Sequence, residues 1–440
     1  MSILKSISWI IWIFSSLALA AYLLFELAWS EDKSSFLIGE ATHGHHQIEL
    51  ACSTCHTSPF GGGEVIQDAC VNCHAQELSI AEDSHPKAKF TDPRNADRLA
   101  VLDATQCVTC HLEHQNEQTR AMGGTLADDF CWHCHQDIAS ERPSHEGMGF
   151  ETCASAGCHN YHDNKALYEN FLVKHAGEAD LFMPAMRPLR DAVTEYLTDN
   201  PQTKALTVAD IQPVEAPAEV FEHWQASSHA TVGVECRDCH QANNSDWQKK
   251  PAIQVCQNCH EQEWQGFSQS HHGMRLSDKL SQSLSPMTPA QGRLVFQSDS
   301  LEKEMTCSTC HGPHELDLQK AASESCLSCH ADDHSLAFEQ SPHGQLWQQE
   351  LAGEIAQGEG VSCATCHMPV VEQGGKHAVS HNVNDNLRPN EKMLRSVCMN
   401  CHGLAFSIDA LADQELIKNN FLHAPSLHIK SIDMAVERVK

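Results

Sequence analysis

The chain has 440 residues with 29 Lys+Arg against 58 Asp+Glu, a net charge of −29, and it carries 22 Cys and 31 His. Excess acid without a clustered basic run excludes nucleic acid as a partner, because a polyphosphate needs grouped Lys and Arg. A chain this rich in Cys and His is organised by more than a hydrophobic core, so metal or cofactor attachment is the first chemistry to expect.

The first element is apolar. Ser6 to Phe25 carries no charge, and as a helix it spans about 30 Å, the hydrocarbon thickness of a bilayer. A cleaved signal peptide is the rival reading, with Lys5 as its basic end and Ala18-Leu-Ala20 as an A-x-A-like site. The apolar run continues through Ala21-Tyr-Leu-Leu-Phe25, with Trp9, Trp12 and Trp29 near the interfaces. Residues 1–30 are therefore expected to be an uncleaved N-terminal membrane anchor.

Beyond it the cysteines follow one rule. Ten C-x-x-C-H motifs run along the chain. They are Cys52/Cys55/His56, Cys70/Cys73/His74, Cys107/Cys110/His111, Cys131/Cys134/His135, Cys236/Cys239/His240, Cys256/Cys259/His260, Cys307/Cys310/His311, Cys326/Cys329/His330, Cys363/Cys366/His367 and Cys398/Cys401/His402. Cys153 and Cys158 with His159 form a C-x4-C-H variant, so eleven motifs use every cysteine and leave no thiol for a disulfide or a nucleophile. Two closely spaced thiols add across the two vinyl groups of one haem, and the adjoining His supplies the proximal ligand to iron. Zinc ribbons and disulfides do not require a His after every second Cys. The expectation is eleven covalently bound c-type haems, each with its iron. Covalent haem attachment belongs to the far side of the bacterial inner membrane, so a single-pass inner-membrane protein with periplasmic haem domains is expected.

Five motifs lie between Cys52 and His159 and six between Cys236 and His402, while Ala176 to Glu222 has neither Cys nor His and holds five of the 17 prolines. Residues 31–175 read as a pentahaem module, 176–222 as a Pro-containing connector and 223–440 as a hexahaem module with a helical tail. Short intervals separate the motifs in pairs, 13 residues between His56 and Cys70 and 15 between His240 and Cys256, so a repeated two-haem unit is expected. Between motifs only helical patches and loops are readable, with no sustained alternation that would make a sheet. The expected fold is mainly α with extensive loops and little or no sheet, wrapped around its haems. About 37 residues per haem leave porphyrin to supply much of the apolar interior, and neighbouring haems close enough for electrons to pass along the row.

Eleven His are proximal ligands, and two patterns nominate the other axial ligands. A His after Ser, Thr or Pro gives His43, His85, His145, His229, His272 of the His271/His272 pair, His343 and His381; a His three or four residues past a motif gives His114, His162, His314 and His334. His45, His46, His133, His175, His223, His377, His423 and His428 read as surface groups or propionate partners, with His46, His175 and His377 held as reserves. Two imidazoles make an electron-transfer haem, whereas an open sixth position makes a catalytic one.

These residues resemble periplasmic multihaem cytochromes c. The N-terminal module, with His43 ahead of Cys52 and the run Cys110-His111-Leu-Glu-His114, looks like the cytochrome c3 family. The C-terminal module looks like the group of pentahaem nitrite reductase, octahaem tetrathionate reductase and hydroxylamine oxidoreductase, on Val361-Ser-Cys-Ala-Thr-Cys-His-Met-Pro369, His381 and Ser396-Val-Cys-Met-Asn-Cys-His-Gly403. Two departures matter. Nitrite reductases of that group usually hold their catalytic haem through Lys, yet every motif here ends in His, and the only tyrosines are Tyr22, Tyr161, Tyr168 and Tyr196, none in the C-terminal module. The resemblance therefore implies a haem-packing scaffold without its catalytic residues.

The leading expectation is an electron-transfer conduit between an inner-membrane, quinol-side donor and periplasmic or outer-membrane cytochrome acceptors, its acidic surface steering basic redox partners. The rival is a redox enzyme for a small nitrogen or sulfur compound, with an open haem at His367 and His377, His381 and Arg388 as proton donors and oxyanion stabilisers. No P-loop or Rossmann glycine pattern is present, so no nucleotide is expected.

Overall fold

The computed structural model describes the chain apart from residues 1, 31–32, 59–60, 82–84, 116–123, 143–144, 151–152, 154–160, 164–166, 168, 183–186, 243–245, 374, 388–391 and 440. It opens on α1 (Ser2–Ala28). This helix holds the one segment among the described residues, Ser6–Glu26, long and apolar enough to cross a membrane, and none of that segment is buried against the rest of the protein.

The remainder is a series of short helices and loops. Strands occur among the described residues only as a hairpin, β1 (Val370–Gln373) paired antiparallel with β2 (Lys376–Val379) in the register Val370 to Val379, just after the His367 motif. Several of the short helices are started by a polar cap rather than sustained by a long apolar face. Ser341, Asp332 and Asp413 accept backbone N–H bonds from Gly344, Ser335 and Leu416 at 3.0, 3.1 and 3.1 Å. The longest after α1 is α2 (Gly63–Ile80), which carries a whole motif, Cys70 to His74, within it.

The apolar core gathers in the C-terminal part, where Leu394, Leu404, Ile408 and Ile432 pack with Leu167. Ile408 lies on α3 (Leu404–Ala412) and Ile432 on α4 (Ser431–Val439). Leu167 comes from the first module, and Phe171 and Leu172 follow it onto the same cluster. Phe182 N donates to Cys401 O at 2.9 Å and Gly403 N to Asp180 O at 3.2 Å. The stretch 167–182 thus spans the expected module boundary at 175/176 and is welded to the last motif, because its apolar side chains find their burial there.

The modules meet at a second place. Ser281 Oγ lies 2.8 Å from Ser53 Oγ and 3.0 Å from Thr54 Oγ1, Arg275 donates to Gln47 O at 2.8 Å, and Lys279 donates to Cys73 O at 2.9 Å. The first two motifs therefore dock on segment 271–293 of the second module.

Candidate haem sites

Most described motifs sit on a single helical turn: Cys52–Cys55, Cys107–Cys110 and Cys307–Cys310 are each four-residue helices, and Cys236–His240 and Cys363–His367 take in the His as well. Residues i and i+3 of a helix lie about 5–6 Å apart on one side, which presents both thiols to one partner. The residue before the second Cys is often Thr, and it closes the turn. Ser362 N and Thr306 N donate to Thr365 Oγ1 and Thr309 Oγ1, both at 3.0 Å. No disulfide joins the described cysteines, and no three His, Cys, Asp or Glu side chains among the described residues converge as a zinc cage would.

In other motifs the two thiols do not share one helix: Cys259 and Cys401 fall just past the turns that hold Cys256 and Cys398, and Cys134 and Cys329 are also set apart from their partners. Cys134 lies inside the helix Trp132–His135 while Cys131 is only its N-cap, and Cys329 lies beyond the end of the helix Glu324–Leu327 that holds Cys326. A turn bond restores the approach in each motif, Cys134 N donating to Cys131 O and Cys329 N to Cys326 O, both at 3.1 Å. Cys134 stays partly exposed, whereas Cys329 is the one buried thiol among the described cysteines, 6% exposed. Its burial follows from the segment laid beside it: Gln297 N donates to Cys329 O at 2.8 Å and Ala331 N to Val295 O at 2.9 Å. Spacing within the motif carries no information on that cover, which comes from 32 residues earlier.

The motif histidines are opposed by other histidines at a repeated separation. Ring centroids lie 5.9 Å apart for His74 and His45, 6.3 Å for His111 and His162, and 6.1 Å for His135 and His85. In the second module they lie 6.0 Å apart for His240 and His314, 6.1 Å for His260 and His229, and 6.2 Å for His311 and His381. His330 and His272, His367 and His334, and His402 and His343 complete the set at 6.1, 6.1 and 6.2 Å. This separation is the fit test for iron. Two metal–nitrogen bonds of about 2.0 Å, with each centroid roughly 1.1 Å behind its nitrogen, need about 6.2 Å. Rings in direct contact would stack closer, as His240 does on Trp247 at 4.6 Å.

The nitrogen that does not face the gap is held. Nδ1 of His334, His381, His240 and His402 donates to the carbonyls of Ile417, Val379, Gln248 and Asp180 at 2.6, 3.0, 2.6 and 3.0 Å, and His85 Nδ1 donates to Tyr161 O. A donated Nδ1–H leaves the Nε2 lone pair free and fixes the ring plane, as an axial ligand needs. Burial, and secondarily the imidazole opposite, pushes His272, His343 and His367 down to about 4, so these rings are neutral at physiological pH and able to donate a lone pair.

Local capping delivers several of these rings. His229, His334 and His343 are each the second residue of a helix whose N-cap is Ser227, Asp332 or Ser341. Ser270 Oγ likewise accepts from His272 N at 3.2 Å.

The motifs also touch one another. Cys70 lies beside Cys107, Cys256 beside Cys307, Cys131 beside Cys153 and Cys326 beside Cys363. These approaches join the second motif to the third and the fourth to the fifth, and the pattern recurs at the seventh with the eighth and the ninth with the tenth; motifs separated by short intervals also come close, Cys73 acting on Cys55, Cys256 on Cys239 and Cys329 on Cys310. The ring pairs repeat with it. His74 and His260 are faced by a His seven residues ahead of each module's first Cys, His135 and His330 by one between the second and third motifs of the module, and His111 and His311 by one after the fifth. The repeating unit is five motifs long.

Eight of the expected second ligands, His85, His162, His229, His272, His314, His334, His343 and His381, stand opposite motif histidines. His43 does not take the place opposite His74. That place falls to His45, which sequence reasoning left on the surface, because Glu113 reaches across from the third motif to bond His45 Nδ1 at 2.6 Å. His43 lies 5.3 Å from His271 and 5.9 Å from His46 at the module junction. The available signal was the spacing, since His45 precedes Cys52 by seven residues as His229 precedes Cys236. His114 adopts a left-handed backbone and donates Nδ1 to Gly39 O at 3.0 Å; a Cβ on Gly39 would meet His114 O at 2.2 Å, so only glycine fits. His145 ends a turn on Arg142 O.

The residues expected around His367 are not gathered there. His381 faces His311, His377 is exposed on β2, and Arg388 lies outside the described residues, as do Cys158 and His159. The ring opposite His367 is His334.

A chain that sets imidazole pairs about an iron's width apart beside paired thiols has the construction of a c-type cytochrome. Comparison with known proteins agrees. Residues 330–423 match the family model of cytochrome c552 and residues 44–136 that of cytochrome c3. The multiheme cytochrome MtrA of Shewanella baltica (strain OS185) is 31% identical over 117 residues, covering 25% of this chain and 28% of that protein. No solved structure matches. These findings support a multihaem cytochrome c with covalently bound haem iron and a role in electron transport among redox proteins.

Proposed function

We propose that this chain is an electron-transfer cytochrome with eleven covalent haems, each iron held between two imidazoles, tethered by α1 to the inner membrane with its haem modules in the periplasm. The observation that carries this reading is the set of nine opposed histidine pairs at 5.9–6.3 Å. The five-motif repeat extends it to the other two. His314, three residues past His311, faces His240, so His114, three past His111, is the partner of His56. His334, between the fourth and fifth motifs of its module, faces His367, so His145 is the partner of His159.

Haem supplies reversible one-electron exchange at iron. The residues of this chain do the rest. The thiols would anchor each porphyrin edge, and the proximity of Cys70 to Cys107, Cys131 to Cys153, Cys256 to Cys307 and Cys326 to Cys363 would bring successive attachment edges together, shortening electron steps along the chain. The paired imidazoles would hold each iron through its reversible one-electron chemistry with little rearrangement. A charge of −29 favours encounter with basic redox partners in a salt-dependent way. Quinol-side donors and periplasmic or outer-membrane cytochrome acceptors fit this arrangement. A catalytic haem at His367 is disfavoured because His334 stands on its open side.

Quantitative electron paramagnetic resonance of the oxidised, detergent-purified protein, with haem counted as its pyridine complex, tests the reading. Eleven haems, all low-spin, are expected, and His114→Ala or His145→Ala should each turn one high-spin. A high-spin haem in the unsubstituted protein that shifts with nitrite or hydroxylamine would replace this proposal by the enzyme.

A further inference from the structure

The imidazole pair of the second motif differs from the others in what holds it. His45 Nδ1 lies 2.6 Å from Glu113 Oε1, and His74 Nδ1 lies 2.7 Å from Glu77 Oε2. Both rings are bonded by a carboxylate, whereas the rings of His240, His334, His381 and His402 are bonded by carbonyls. Glu113 is itself fixed, accepting from Thr42 N and Thr42 Oγ1 at 2.9 Å each. Glu77 stands one turn beyond His74 on α2, so helix geometry sets its approach.

The second module supplies an internal control. Its corresponding pair is His260 and His229, and its carboxylate three residues past the motif His is Glu263. Arg190 takes that carboxylate at 2.7 Å, leaving its other oxygen 3.8 Å from His260 Nδ1, too far for a hydrogen bond. Pro313 stands between His311 and His314 where Glu113 stands between His111 and His114. The same unit thus occurs twice, once with a carboxylate hydrogen-bonded to each ligand and once with a single carboxylate, Glu263, set back to 3.8 Å and shared with Arg190.

We propose that Glu113 and Glu77 act as positioning residues that lower the reduction potential of the haem on Cys70, Cys73 and His74 below that of its repeat counterpart on Cys256, Cys259 and His260. This rests on the reading of His45 with His74, and His229 with His260, as axial pairs. A carboxylate accepting Nδ1–H gives the ring imidazolate character and strengthens it as a donor. Its negative charge also favours the ferric state, which carries one more positive charge than the ferrous state. Two ammonium groups oppose Glu77, Lys392 ahead of Lys279, and Lys279 is bonded to the Cys73 carbonyl and not to a ligand. Because Lys279 and Ser281 belong to the docked face of the second module, the low-potential haem sits where electrons would cross between modules.

The test is a potentiometric titration of the full-length, haem-loaded protein followed by optical and paramagnetic resonance spectra. In Glu113→Gln/Glu77→Gln, one haem of the eleven should become easier to reduce, its ferrous-to-ferric ratio at fixed potential rising at least tenfold, a shift of about 59 mV for one electron. Glu77→Gln alone, on the exposed side of α2, should move the same haem part of the way and guards against a folding defect in the double variant. Titrations that superimpose on the parent for both variants overturn the proposal. His45→Ala separates the two levels. If it leaves every haem low-spin, the axial reading has failed; if it makes one haem high-spin while the glutamate variants do not shift, this inference alone has failed.

Discussion

His381 lies with its ring 6.2 Å from that of His311, seventy residues earlier in the chain, while the ring opposite His367 belongs to His334. The histidine nominated just past the His367 motif therefore faces a different motif, and Arg388, named with it, lies outside the described residues. His381→Ala is expected to turn one low-spin haem high-spin, the one on Cys307 and Cys310, with the haem of His367 unchanged. His377→Ala, on the exposed strand β2, should leave the spin balance as it is. Paramagnetic resonance of the two variants reads both outcomes, and a high-spin signal from His377→Ala would put that residue on an iron.

His428 links the last two helices of the core. Its Nδ1 is 3.0 Å from Asp409 on α3 and its Nε2 3.0 Å from Asp433 on α4, and these hydrogen bonds, Asp409's first, raise its pKa above the usual 6.5. A raised histidine contributes stability that is fully present below its unfolded pKa and is lost as pH rises through the folded one. The melting temperature of the parent should exceed that of His428→Ala at about pH 5.5 and converge with it near pH 9. Equal differences at both pH values would remove the ion pairs from the docking of α4.

Arg187, in the segment between the modules, reaches Glu350 at 2.6 Å and Thr365 Oγ1 at 3.1 Å, on the helix of the His367 motif. Glu350 is nearly enclosed, its side chain 4% exposed, and also accepts from Gly358 N and Gly360 N at 3.0 and 2.7 Å. Arg187→Ala leaves that carboxylate without its cation and should destabilise the second module by about 3 kcal/mol in denaturant titration. Arg187→Ala/Glu350→Gln should recover much of the loss, because the neutral amide no longer needs the cation. No recovery in the double variant would show that Arg187 acts through packing on Trp347, 5.4 Å beneath its guanidinium.

Local chemistry was readable. The eleven motifs could be written down from spacing because thioether attachment joins thiols a few positions apart, which one turn presents together. The apolar N-terminal run was equally plain, and so was the shortage of strands. Several rings opposite the motifs were also reachable, since His229, His334 and His343 follow helix caps that the sequence spells out as Ser or Asp two residues earlier.

Partnership across the fold was not readable in this way. Whether His43 or His45 faces His74 turns on Glu113, 68 residues beyond His45. The approach of motifs separated by long intervals was not readable either, because thiols such as Cys70 and Cys107 meet through the packing of separate turns and not through the loop between them. The cover over Cys329 and the partial exposure of Cys134 escaped the motif for a like reason, both being set by what packs beside the turn. The packing of Leu167 and Phe171, at the end of the first module, among Leu394, Leu404 and Ile432 was likewise not readable from the sequence. The sequence by itself determined the attachment chemistry, because covalent geometry is decided within a few residues. Only the tertiary structure decided which imidazole faces which, because a ring finds its partner through hydrogen bonds and burial supplied by segments far away in the chain.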